Sequence, residues 1–284
     1  MLRDIVPWWA RIGAKLVLSR VPADYQRWRK LNVFVHGAMH KPEYALGVFK
    51  QHFAHMGSHG RPFTALEIGP GDSVSSAVIA AAHGATRVYL IDAGMFATKE
   101  LEVYRELAAY LRAAQDLQPP VLDSARDLDD VLKLCNATYG VQGLRSLREV
   151  PTESVDFIWS HAVLEHIRRN EFADFAHEMR RVLRPGGVCS HQVDLKDHLG
   201  GALNNLRISS RWWEAEWMAR SGFYTNRLRM SQMVQAFESA RFAVSVVAMR
   251  RWEQLPTPQK SFAREFSHLE AAELRISGFE VLLS

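Results

Sequence analysis

The chain has 284 residues, 48% of them hydrophobic and 23% charged. That is enough apolar material for one large core and too little charge for a disordered chain; two cysteines, Cys135 and Cys189, exclude a disulfide framework and fit a reducing compartment. The net charge of +4 is unevenly spread: residues 1–61 hold ten Lys/Arg against three acids, 62–199 fourteen against twenty and 200–251 eight against three, so an acidic block lies between two basic segments of the kind that face either water or an anionic partner.

Residues 2–17, "LRDIVPWWARIGAKLV", have helical periodicity, with Leu2, Ile5, Trp8, Trp9, Ile12 and Leu16 on one side and Arg3, Asp4, Arg11 and Lys15 on the other. Tryptophans opposite bases suit a helix in a membrane interface, and equally a helix docked on the protein's own core. The pattern stays helical and aromatic to Phe53, so residues 1–60 are expected as an N-terminal helical extension. No apolar run approaches the ~18 residues of a membrane span, and the first residues lack a signal-peptide pattern. The expected location is cytoplasmic, with peripheral contact at the inner face of the membrane through that first helix.

From Phe63 the texture changes. "FTALEI" reads as a strand, "DSVSSAVIAAAHG" as a helix capped by Asp72 or Ser73, and "RVYLID" as a second strand. A helix is expected over 95–114, and 115–150 shows no clear period. "SVDFIWS" is the next strand, "NEFADFAHEMRRVL" a helix capped by Asn170, "RPGG" a turn and "VCSHQVD" another strand. A connection rich in Trp, Arg and Asn follows, then a helix over 229–240, a strand over 242–249, a helix over 267–275 and a strand over 278–283. Alternation of this kind specifies an α/β fold, a doubly wound, mostly parallel sheet covered on both faces, over residues 61–284. Ligands of such sheets bind beyond the carboxyl ends of the strands. The residues to read are therefore Gly69–Asp72, Asp92, Ser160–His161 and Asp194–His198.

The stretch "ALEIGPGDS" has Gly69 and Gly71, but Val74 stands where a dinucleotide turn needs its third glycine. An acid, Glu67, precedes the turn, where it would repel a pyrophosphate and suit a cationic ligand. Asp92 ends the next strand, where a carboxylate can accept two ribose hydroxyls. A cation, a close glycine approach and a ribose describe S-adenosyl-L-methionine.

The chain resembles the class I (Rossmann-like) S-adenosylmethionine-dependent methyltransferases in four places, in the family's order. "LEIGPGDS" is similar to their first motif, "YLIDAG" to the second, "SVDFIWSHAVLEHI" to the fourth-strand motif, and "MRRVLRPGGV" to the helix–turn–strand of the small-molecule and glycan-type branch. The resemblance implies a seven-stranded sheet with its last strand antiparallel and methyl transfer from S-adenosyl-L-methionine. Carried onto this chain, it makes Glu67, Gly69, Gly71, Asp92, Ala93, Ser160 and His161 the cofactor-binding candidates. The acid that many members use for the adenine amine has no counterpart in "VQGLRSLREVP", where Gly143 is followed by Leu144 and Arg145.

If the acceptor is a hydroxyl, a base must take its proton. "HQVDLKDH" ends the strand after the RPGG turn, which makes His191, Asp194 and His198 the catalytic candidates, with Asp197 beside them and helix capping as the other reading of Asp194 and Asp197. Two acids and a histidine there could also hold a divalent metal that lowers a hydroxyl's pKa; with no further metal-ligand cluster visible, metal-free base catalysis is expected. Residues 196–229 form the expected acceptor-binding insertion, whose aromatics and amides suit a sugar and whose arginines suit phosphate or carboxylate. The reading is O-methylation of a sugar or other small or glycan acceptor, with no nucleic-acid partner expected. A nucleic-acid methyltransferase and a non-catalytic binding protein on the same fold are the other two readings.

Overall fold

The computed structural model describes residues 38–57 and 62–284. The amphipathic helix expected over 2–17, and most of the N-terminal extension, lie outside the described residues. Helix α1, Pro42–Phe53, has a proline in its first turn beside Glu43, and Lys50 and His52 in its last, an order that suits the helix dipole. It buries Ala45, Leu46, Val48, Phe49 and His52.

Seven strands form one sheet in the order β3-β2-β1-β4-β5-β7-β6. They are β1 Phe63–Ile68, β2 Ala85–Ile91, β3 Ala137–Gly140, β4 Val155–His161, β5 Leu183–Asp194, β6 Val244–Arg251 and β7 Ile276–Leu283. The first five are parallel, and β7 enters antiparallel between β5 and β6. This is the Rossmann-like, seven-stranded methyltransferase order that the motifs imply. Strand β1 sits near the centre with helices on both faces, which is why all six of its residues are buried and all but Thr64 and Glu67 are apolar.

Helices α1, α2 (Ser75–Ala82) and α3 (Leu101–Gln115) cover one face. There Phe49 of α1 meets Trp159 of β4 edge-on at 5.5 Å, and Trp159 stacks on Phe157 at 5.0 Å. The segment without a clear period holds α4 (Leu128–Leu134), capped by Asp127, then β3 and α5 (Leu144–Arg148). Short elements of this size carry too few turns to print a period. The opposite face is covered by α6 (Phe172–Val182) and α9 (Met230–Ser239), with Phe175, Met179 and Phe237 against Val193, Phe279 and Val281.

Several boundaries differ from the sequence pattern. Helix α2 starts at Ser75, because Asp72 is held by His40 instead of capping it. Glu171, not Asn170, is the residue before α6. The helix expected over 267–275 shrinks to α10, Ala271–Leu274, after a 3-10 turn at Arg264–Phe266. Between β5 and α9 lie two four-residue helices, α7 (Ser210–Trp213) and α8 (Glu216–Ala219).

Candidate active site

The sheet presents its site at the carboxyl ends of β1, β2, β4 and β5. Strand β1 ends in a turn with Gly69 at φ +72° and Gly71 at φ +74°, the left-handed region that favours glycine. A Cβ on Gly69 would stand 2.4 Å from a methyl of Val163, so the turn depends on that glycine for space as well as for conformation. The Gly69 amide donates to the Ile91 carbonyl at 2.8 Å, and the Gly71 amide donates to a carboxylate oxygen of Asp92 at 3.2 Å. The other Asp92 oxygen accepts from the Ala93 amide at 2.7 Å. The loop beyond β3 returns to the same point, the Gly143 amide donating to the Asp92 carbonyl at 2.8 Å.

Burial pushes the Asp92 carboxyl up to about 6, against the two amides that favour its charged form. Each carboxylate oxygen keeps lone-pair capacity for a further donor. A glycine turn with no side chains, next to a half-buried carboxylate with lone pairs to spare, fits the methionine end and the ribose of S-adenosylmethionine.

Glu67 lies elsewhere than expected. It is 2% exposed, and its carboxylate accepts from the Ser76 hydroxyl and, at 3.1 Å, from the Trp159 indole N–H. Burial, with the Asp92 charge as a lesser cause, pushes it up to about 7. Its place is beneath the glycine turn, tying β1 to α2 and β4.

The pleat separates the two β4 residues read together. Side chains alternate faces along a strand. His161 follows Phe157 and Trp159 onto the α1 face, whereas Ser160 turns to the α6–α9 face and hydrogen-bonds the His191 ring Nδ1 at 2.7 Å. His191 is buried there, its ring stacked on Phe237, and burial lowers it to about 3. The expectation that His191 acts as a base is corrected on that ground: it faces the core, on the other side of the sheet from Asp194. Asp194, at the end of β5, accepts from the Lys196 amide at 2.9 Å and pairs with its ammonium at 3.4 Å. Asp197 accepts from the amides of Leu199, Ala202 and Asn204, so it organises the loop. His198 is exposed, its ring 4.8 Å from that of His166, which in turn bonds the Tyr224 carbonyl at 2.8 Å.

Three features were missed in the sequence. Glu165 is 2% exposed, neither of its carboxylate oxygens has a hydrogen-bond partner, and burial raises it well above the ordinary carboxylate range. An acid inside the apolar run "AVLEHI" is the one local signal for it. His52 of α1 reaches Ser190 and His161, and His40 reaches Asp72. Contacts over such sequence distances leave no local pattern. Among the described residues no group of three or more His, Cys, Asp or Glu side chains converges as metal ligands would, and no helix is long and apolar enough to cross a membrane.

A family signature described as "Methyltransferase domain" matches residues 91–190, from the end of β2 into β5. Together with the strand order and the cradle, it shows that the chain carries a class I S-adenosylmethionine-dependent methyltransferase domain, with S-adenosyl-L-methionine as its cofactor. No curated protein matches the sequence. Solved structures similar to the chain include a SAM-dependent methyltransferase from Archaeoglobus fulgidus, at 8% identity and a TM-score of 0.48, covering 86% of this chain and 94% of that one. A phosphoethanolamine N-methyltransferase 2 from Haemonchus contortus has 14% identity and a TM-score of 0.49, covering 98% and 60%. A geranyl diphosphate C-methyltransferase from Streptomyces coelicolor has 15% identity and a TM-score of 0.47, covering 85% and 78%. At these scores the likenesses carry no argument about the acceptor.

Proposed function

We propose that the protein O-methylates a sugar or other small glycan acceptor. S-adenosylmethionine supplies a methyl group already activated on a sulfonium. The chain's own task is to bind it, to hold an acceptor in line, to exclude water and to take one proton. Asp92 would hold the ribose hydroxyls, Gly69 and Gly71 would let the backbone approach the methionine end, and Ala93 would keep Asp92 in place. Glu67 would support the turn from below.

The observation that carries the acceptor reading is the surface of the insertion. Trp212 is 56% exposed with the Arg211 guanidinium 5.8 Å from its ring, and Trp217 is 40% exposed. Exposed indole faces beside a guanidinium suit the flat, polar-edged body of a sugar and an attached phosphate. Asp194 and His198, on the chain leaving β5 toward this insertion, would contact the acceptor in this reading.

The test is a methyl-transfer screen with S-adenosylmethionine over nucleotide-sugars and lipid-linked glycans, read by mass spectrometry. A methylated glycan whose KM rises in Trp212→Ala and Trp217→Ala with kcat kept supports the reading. Methylation of RNA alone, with salt-sensitive affinity, would replace it with the nucleic-acid alternative. Failure to bind S-adenosylmethionine in calorimetry would leave the non-catalytic binding protein. We further propose a cytoplasmic location with peripheral membrane contact through residues 1–20. Deleting them should abolish co-sedimentation with anionic vesicles, and unchanged co-sedimentation would rule that out.

A further inference from the structure

His161 ends β4, the strand beside β1, and sits in register just past the pair Ile68 and Ser160. It therefore lies one strand from the Gly69 turn, at the border between the cofactor half of the sheet and the β5–β7–β6 half. The next residue, Ala162, takes φ +55°, a left-handed conformation uncommon outside glycine. Its amide donates to the Gln192 carbonyl at 2.8 Å, and Val163 follows against Gly69. The turn thus fixes the strand end on which the His161 ring is mounted.

The ring is half-buried and held on both nitrogens. Nδ1 is 3.3 Å from Nε2 of His52, whose own Nδ1 is 2.8 Å from the Ser190 hydroxyl. Nε2 is 3.3 Å from the Gln192 amide nitrogen, and the Gln192 amide oxygen accepts from Gln51 at 3.1 Å. One assignment of protons satisfies this chain. Gln51 donates to the Gln192 oxygen, which turns the Gln192 N–H toward His161. Nε2 of His161 then accepts, its Nδ1–H donates to His52, and the His52 Nδ1–H donates to Ser190. The arrangement leaves Nε2 unprotonated at the last paired residue of β4, held by an amide of β5 that a stronger donor can displace.

We infer that His161 is the base of the methyl transfer, and that His52 and Ser190 are positioning residues that keep its Nε2 unprotonated. The inference rests on the O-methyltransferase reading above. In the step, an acceptor hydroxyl takes the place of the Gln192 N–H at Nε2. Its oxygen forms a bond to the methyl carbon as the carbon–sulfur bond breaks, and the bonding pair stays on sulfur. The hydroxyl proton moves to Nε2, and the resulting imidazolium returns it to solvent after product leaves.

The surroundings agree with a neutral ring at rest. The titratable and charged groups facing His161 are His52 from α1, Glu280 from β7, Arg250 from β6 and, further along β5, Asp194. Burial first, then the Arg250 charge, lowers His161 below the usual imidazole range, and Glu280 opposes them. Burial also lowers His52 to about 3, so the positioning ring stays neutral.

The experiment has two readouts. The first needs no acceptor: long-range 1H–15N correlation spectra of the histidine-labelled full chain with S-adenosylhomocysteine, between about pH 5 and 8, with His161→Gln to assign the resonances. The expected spectrum shows His161 as the Nδ1–H tautomer at neutral pH, shifted toward Nε2–H in His52→Ala and less so in Ser190→Ala. A His161 ring protonated on Nε2, or one that ignores His52, would overturn the inference. The second uses the nucleotide-sugars and lipid-linked glycans of the screen. His161→Gln should lower kcat by roughly 10²- to 10⁴-fold with S-adenosylmethionine affinity kept, and should remove the acid limb of the kcat profile. Unchanged kcat, or a loss confined to S-adenosylmethionine affinity, would make His161 a cofactor contact instead. A wild-type chain that binds no S-adenosylmethionine would sink the methyltransferase reading while leaving the tautomer result standing, so the two failures are distinguishable.

Discussion

The strand-end cradle and the insertion over 196–229 are both rich in polar residues, but they use them in opposite ways. At the cradle, polar groups keep capacity to spare. Asp92 holds two amides and has lone pairs left, and the turn at Gly69 and Gly71 carries no side chain. In the insertion, the polar groups are consumed by the fold. Arg227 is buried between Trp213 and Phe266 and bonds the Asn205 and Ile208 carbonyls, Ser210 and Glu214. Arg229 spends its guanidinium on the carbonyls of Leu195, Glu273, Leu274 and Ile276. Asn226 donates to the Leu164 and Ile167 carbonyls and fastens the insertion to the loop after β4. A segment of four-residue helices cannot satisfy its own backbone; Arg227 does so within it, while Arg229 and Asn226 tie it to the carbonyls of flanking elements. On its outer surface Arg211, Trp212 and Trp217 stay exposed. An arginine in such a segment is thus no sign of a ligand until its burial is known.

That contrast predicts a sharp division of phenotypes. Arg229→Met should have the largest effect, destabilising the chain by about 3–5 kcal/mol because several buried carbonyls lose their donor. Urea denaturation measures it, and a loss under 1 kcal/mol would mean the insertion is not held this way. Asp92→Ala should instead weaken S-adenosylmethionine binding by roughly 10- to 100-fold in calorimetry, the range expected for hydrogen bonds to a charged group. Gly69→Ala should cost about 1–3 kcal/mol of backbone strain and contact. The cost should appear in both cofactor affinity and stability, because the Cβ meets Val163.

The pH dependence sharpens the comparison further. Asp92 titrates at about 6 in the folded chain, above its ordinary 3.8. Its charged form is lost as pH falls through that value, so S-adenosylmethionine affinity should decline toward tenfold per unit below about pH 6 and be flat above about pH 7. Glu165 gives the opposite sign in stability. Its carboxyl is raised in the fold, so its contribution is fully present below the ordinary glutamate range and is lost as pH rises through the raised value. Glu165→Gln should therefore raise Tm relative to the parent chain near pH 8, and that gain should vanish near pH 4. The smallest effect belongs to Trp212→Ala, which should change stability by no more than about 0.5 kcal/mol because the ring is on the surface.

The cradle was legible because its signals are local. A strand, two glycines and an acid at the next strand's end lie within 30 residues, and each is dictated by backbone conformation or by the chemistry of a ribose. The sheet was legible for the same reason, since a buried parallel strand must be mostly apolar and a covering helix must repeat near every fourth residue. The sequence thus determined the fold and the donor by short-range rules, and put Asp92 at the strand end where a ribose contact is proposed.

Tertiary structure decided what each polar side chain faces. The pleat sent Ser160 into the core with His191 and left His161 beside His52, 109 residues away in the chain. Packing turned Glu67 into a support for the turn and Arg229 into a clamp on four carbonyls. A one-residue step along a strand reverses the face, and a hydrogen-bond partner can come from any segment that folding brings near. Composition and spacing contain neither fact, so the histidine chain at the end of β4 and the burial of the insertion's arginines became visible only in three dimensions.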